Sequence, residues 1–128
     1  MKICVGHHPV YSSGFSNHED NDFMRTYLSP ILNANNVTAY FSGHEHNLEY
    51  HRPTSNTKTH YFISGAGSKI AGYFTNPEDG FEFYFDDSSG FLSASVIVYE
   101  NSSSKLIVSF LNVNGTVVHT LDTSISTA

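Results

Sequence analysis

Residues 37–47 read V-T-A-Y-F-S-G-H-E-H-N. The first six form a β-rich run, bounded by asparagines before it and Gly43 after it, and read as a strand. The loop that leaves this strand carries His44 and His46 on either side of Glu45. Toward the N-terminus, Ser16-x-x-Glu19 has the form of a helix capping box. Met24, Tyr27, Leu28 and Ile31 then recur at i, i+3, i+4 and i+7, which predicts a helix with these four on one apolar face. Pro30 either kinks that helix or starts a second short one, and residues 33–36 end it. Further back, K-I-C-V at 2–5 predicts a short buried strand that stops at Gly6. A strand–helix–strand order favours a parallel pair. In such units the loops at the C-terminal strand ends line the crevice where ligands bind. Both histidine clusters, His7-His8 and His44/His46, fall on those loops.

Beyond residue 47 the pattern changes. L-E-Y-H-R-P and T-H-Y-F-I-S read as a hairpin across T-S-N-T-K. F-E-F-Y-F, F-L-S-A-S-V-I-V-Y, K-L-I-V-S-F-L-N-V and T-V-V-H-T-L read as further strands. Asn114-Gly115 signals a type I′ hairpin turn. The expected organisation is a single domain with an α/β unit over 1–50 and an antiparallel β meander over 51–121. A Ser/Thr-rich tail at 122–128 is expected to fray.

The chain has 128 residues, the size of one domain. Ten Phe and eight Tyr supply the large apolar surfaces for a modest core. The formal net charge of −6 argues against a nucleic-acid partner, which calls for a basic patch. No run approaches the roughly 20 apolar residues of a membrane span, so no membrane partner is expected. No signal-peptide pattern is visible around K-I-C-V. Cys4 is the single cysteine, so no internal disulfide can form. Sequons begin at Asn36, Asn101 and Asn114, at the frequency this Asn-, Ser- and Thr-rich composition produces by chance.

Two imidazoles at i and i+2 of an extended segment point to one side. They can share one metal or serve two adjacent ones. A chain with eight histidines readily produces such a pair by chance. His7, on the neighbouring strand end, adds a third imidazole at the same place, and neutral imidazole is a common ligand for zinc and iron. His8 can take the place of His7, and spacing alone leaves the choice open.

V-G-H-H-P-V-Y-S at 5–12, V-T-A-Y-F-S-G-H-E-H-N-L-E-Y at 37–50 and Y-F-I-S-G-A-G-S at 61–68 together resemble the metallophosphoesterases. The likeness is greatest to the C-terminal half of the tartrate-resistant, purple acid phosphatase branch. There the motifs run G-H-x-P-V, T-A-Y-x-x-G-H-D-H-N-L-x-Y and S-G-A-G. The resemblance implies an α/β fold, α+β within this chain: the C-terminal part of an α/β/β/α sandwich. It implies hydrolysis of phosphate monoesters by two metal ions, iron paired with iron, zinc or manganese.

Carried over by position, His7 and His44 bind the divalent metal and His46 the ferric one. The resemblance thus favours His7 over His8, which is expected to pack or face solvent. His18 would protonate the leaving group, across a loop about two residues longer than the family's. Glu45 replaces the usual Asp and orients the loop. Asn47 and Tyr50 hold the loop and pack, and S-G-A-G forms a tight strand exit near the site. Mammalian members carry a cysteine where Ser42 stands here.

The family's acidic ligands come from D-x-H, G-D-x-x-Y and G-N-H segments, none of which occurs here. Asp20, Asp22, Asp79, Asp86 and Asp87 lack those contexts. The expectation is a C-terminal part of a longer acid phosphatase whose N-terminal half is its necessary partner. The chain alone is then expected to bind metal weakly and to show negligible phosphatase activity. Secretion or a lysosome-like compartment is expected from the resemblance alone. Two alternatives compete with this reading. One is another metallophosphoesterase, such as a phosphodiesterase. The other is a non-catalytic β-rich module with incidental histidines.

Overall fold

The computed structural model describes residues 1–14, 18–54, 58–71, 74, 77 and 79–125. The element order is β1 (Ile3–Val5), α1 (His18–Ala34), β2 (Ala39–Ser42), β3 (Leu48–His51), β4 (His60–Ser64), β5 (Phe81–Phe85), β6 (Gly90–Val98), β7 (Ser104–Asn112) and β8 (Val117–Ile125). A five-stranded sheet has the order β1-β2-β4-β3-β5, and a three-stranded sheet the order β6-β7-β8. β1, β2 and β4 run parallel, and β3 pairs antiparallel with β4 and β5. β6–β8 form the antiparallel meander. The fold is therefore α+β, with the expected parallel pair at its start.

Alternation along the strands makes two cores, one on each face of the first sheet. Ala39, Leu48, Tyr50 and Phe62 face the second sheet and bury against Leu106, Val108 and Phe110. Tyr40 and Tyr61 point the other way and pack with Val10, Tyr11, Leu32 and Val37 beneath α1. Each such fully buried aromatic or aliphatic side chain contributes about 1.5–3 kcal/mol. α1 ends in a Schellman motif. Val37 N donates to Leu32 O and Asn36 N to Asn33 O, with Asn36 at φ 50° in the left-handed region.

Several expectations are corrected. The meander does not begin at residue 51, because β3, β4 and β5 belong to the first sheet. The alternating pattern of T-H-Y-F-I-S looks the same whether its neighbour is parallel or antiparallel, so the β2–β4 pairing was not legible. β1 is an edge strand and not buried: Ile3 is 41% and Val5 79% exposed. Register sets Ile3 beside Ala39 and Val5 beside Phe41, on the face toward the second sheet. Among the described residues, that sheet does not reach over them. β6 shows the same gap from the other side. Val96 and Val98 stand opposite Leu106 and Ser104 on the inner face of their sheet and remain exposed.

On α1, Met24 and Leu28 pack inward, but Tyr27 and Ile31 are 61% and 57% exposed. The buried stripe is completed by Leu32 with two small polar residues, Asn21 and Ser29. Ser29 Oγ lies 3.0 Å from Tyr61 Oη. A count of apolar residues overlooks such members. α1 runs on through Pro30. The capping box at Ser16 and Glu19 lies outside the described residues and side chains. β8 extends to Ile125, so the expected tail is paired as far as that residue. In the β7–β8 turn Gly115 has φ 77° but Asn114 is not left-handed. The turn is thus not type I′, and a register shift at Phe110/Leu111 accompanies it.

Candidate metal centre

The loops after β1, β2 and β4 come together at one end of the parallel strands. Gly6 N donates to Phe41 O and Gly43 N to His7 O, which extends the β1–β2 ladder into both histidine loops. Tyr40 Oη donates to His8 O. His44 then turns into the left-handed region at φ 67°, a conformation that costs a non-glycine residue energy and that persists where surroundings impose it. The imposing neighbour is the S-G-A-G exit of β4. A Cβ on Gly65 would sit 1.6 Å from Glu45 O. Ala71 N also donates to His46 O. S-G-A-G does sit against the site, and Gly65 is there because nothing larger fits.

His7, His8 and His44 converge. One ring nitrogen from each lies within 4.8 Å of the other two, and His44 Nδ1 is 3.2 Å from His7 Nε2. His7 is exposed, and His8 and His44 are half-buried. The donor set fits a transition metal, because three imidazoles at this separation are ligands for zinc and related ions. His8 is the surprise: its ring centroid is 4.4 Å from that of His44. It was expected to pack or to face solvent, and it packs against the ring of His44. A uniform strand would send His7 and His8 to opposite sides, but the chain bends at both residues.

His46 is not part of that group, and neither is any described carboxylate. Asp22 pairs with Arg25, Asp79 accepts hydrogen bonds from Thr54, and Asp86 accepts one from Tyr84. His18 opens α1, and its side chain lies outside those described. Glu45 is buried with its carboxylate against the loop after β1, where a Cβ on Gly14 would lie 2.9 Å from Oε2. Ser42, at the family's cysteine position, donates to Phe62 O.

Sequence reasoning missed the residue that joins the loops. Glu49 is fully buried on β3. Its Oε1 accepts from Ser12 Oγ (3.2 Å) and Asn47 Nδ2 (2.7 Å). Its Oε2 accepts from Ser13 N (2.7 Å) and His51 Nε2 (2.6 Å). One carboxylate thus ties the loop after β1 to the loop after β2. The signal was present as polar residues at period two, Asn47, Glu49 and His51. Tyr50 faces the other way, stacked on Phe62, and its Oη shares a 2.9 Å hydrogen bond with His60 Nδ1. Burial pushes Tyr50 up to about 12. Burial, and then the nearby Arg52 charge, pull His60 down to about 4.

Residues 1–48 match the family of calcineurin-like phosphoesterases. The chain is 40% identical over 126 residues to purple acid phosphatase 4 of Arabidopsis thaliana, covering 96% of this chain and 34% of that protein. These likenesses support a purple acid phosphatase-like metallophosphoesterase. Human tartrate-resistant acid phosphatase type 5 is 36% identical over 66 residues, covering 52% of this chain and 19% of that protein. The fold matches a solved structure described as "GAP50 the anchor in the inner membrane complex of Plasmodium". Its TM-score is 0.76 at 24% identity, over 97% of this chain and 36% of that one. The chain spans about a third of the length of the plant relatives it matches. No helix among the described residues is long and apolar enough to cross a membrane.

Proposed function

We propose that this phosphoesterase chain supplies histidine ligands to a dinuclear centre that hydrolyses phosphate monoesters. The observation that carries the reading is the 3.2 Å approach of His7 Nε2 and His44 Nδ1 at adjacent parallel strand ends. When bound, the two ions supply Lewis acidity and an activated water. His7 and His44 hold the divalent ion, and His46, from the far side of Glu45, serves the other, in which iron is expected. Glu49 and Asn47 position these loops and do not touch substrate. His18 donates the proton to the leaving oxygen as a general acid. The acidic ligands come from sequence beyond this chain, on the N-terminal side. The exposed Ile3 and Val5 on β1, and Val96 and Val98 on β6, suit contact with that part. The family likeness supports a secreted or lysosome-like setting.

The test is a chimera in which residues 1–128 replace the matching third of purple acid phosphatase 4. With iron and zinc it is expected to cleave an aryl phosphate monoester faster than the diester. His44→Ala is expected to abolish metal occupancy and turnover together. Full metal content in that variant would refute the ligand assignment, and a preference for the diester would favour a phosphodiesterase. An inactive chimera with intact metals would favour a non-catalytic role, the kind of role that the description of the Plasmodium relative as an anchor raises.

A further inference from the structure

We propose that His8 is a third ligand, and that His7, His8 and His44 form a three-imidazole site that holds one divalent transition-metal ion within this chain alone. The proposal rests on reading His7 and His44 as ligands, and not on catalysis.

Distance is the first argument. Zinc–imidazole bonds of about 2.0–2.1 Å place neighbouring nitrogens of a tetrahedral site about 3.3 Å apart. His44 Nδ1 and His7 Nε2 are already 3.2 Å apart. The widest separation in the trio is 4.8 Å at most, so closure asks for a shift of about 1.5 Å. Small side-chain rotations on a surface loop supply that much.

Preorganisation is the second. The backbone of His7 is held through its carbonyl by Gly43 N, and that of His8 through its carbonyl by Tyr40 Oη. Tyr40 is itself a buried β2 residue. Gly6, where a Cβ would lie 2.1 Å from Tyr40 Oη, lets the chain pass close enough to make that contact. The bend that brings His8 toward His44 is therefore built from core residues. His7 stands edge-on to both partners, at 87° and 83°. Chemistry is the third argument. Three neutral nitrogen donors without a carboxylate suit zinc, cobalt, nickel or copper, and not magnesium or calcium, which take oxygen ligands. Such a site would fill before any carboxylate from outside the chain arrives.

The experiment uses the 128-residue chain with cobalt(II) and zinc. One equivalent of cobalt is expected to give the visible absorption of a four-coordinate site, with zinc displacing it. Zinc X-ray absorption is expected to count three imidazoles. His8→Ala and His8→Gln should each weaken zinc binding by at least about tenfold. A count of two imidazoles overturns the proposal, as does zinc affinity unaltered in both His8 variants. None of these readouts depends on turnover, so failure here leaves the dinuclear reading to its own test.

Discussion

His44 and His51 are seven residues apart, on the loop before β3 and on the strand itself, and they live in opposite circumstances. His44 is half-exposed in a left-handed conformation, and its ring lies against those of His7 and His8. His51 is fully buried, paired with a buried carboxylate and stacked near Tyr11. The first is fixed by its backbone, with its ring among other imidazoles. The second contributes to the fold and offers nothing to a ligand. A histidine poised for metal is thus recognised by how its backbone is fixed, and a structural one by how its ring is satisfied.

The sharpest way to break this contrast is to remove the hub of the buried set. Glu49→Ala would leave the donors of Ser12, Ser13, Asn47 and His51 without their acceptor in a dry interior. That costs about 3–5 kcal/mol, a large share of the stability of a domain this size. Because Glu49 ties both histidine loops, metal affinity should fall as well, although no ligand is changed. Urea denaturation with a zinc titration measures both. A variant as stable as the parent would show that the hydrogen bonds around Glu49 do not hold the loops.

His60 sharpens the contrast through pH. Its folded value lies near 4, below the 6.5 of an unfolded histidine. Between these values the unfolded chain binds more protons, so stability is full above about pH 6.5 and falls as pH drops toward 4. The loss attributable to His60 is up to about 3 kcal/mol. His60→Asn keeps a polar atom close to the Tyr50 hydroxyl but does not titrate. Its unfolding free energy should decline less than that of the parent across this window. Parallel declines would place His60 in a wetter setting than its burial shows.

How much of this was legible follows the same division. The parallel β1–β2 pair, the placement of both histidine loops at strand ends and the S-G-A-G contact could be read from order and motif. These depend on local pattern and on the handedness of strand–helix–strand units. Glu49 could not be read in the same way, because burial of a charge is settled by donors 36 and 37 residues away, at Ser13 and Ser12. The inward turn of His8 was hidden too. It depends on a bend stabilised by the hydroxyl of Tyr40, 32 residues on. The exposed side of α1 was misread because Asn21 and Ser29 fill positions that a hydrophobic count leaves blank.

The smallest expected effect is the most discriminating. His44 pays for its φ of 67°, a left-handed conformation that costs a side-chain-bearing residue about 1–2 kcal/mol. Glycine escapes that cost but loses about 0.5–1 kcal/mol through the greater freedom of its unfolded chain. His44→Gly in metal-free protein should therefore be between unchanged and about 1.5 kcal/mol more stable. The same variant should lose zinc binding, since a ligand is gone while the loop is relaxed. A residue whose removal stabilises the fold and abolishes binding is held there for its chemistry, at a cost the fold bears. Measurable destabilisation by His44→Gly would instead mean that its imidazole supports the loops as His51 supports β3, and the distinction between the two histidines would fail.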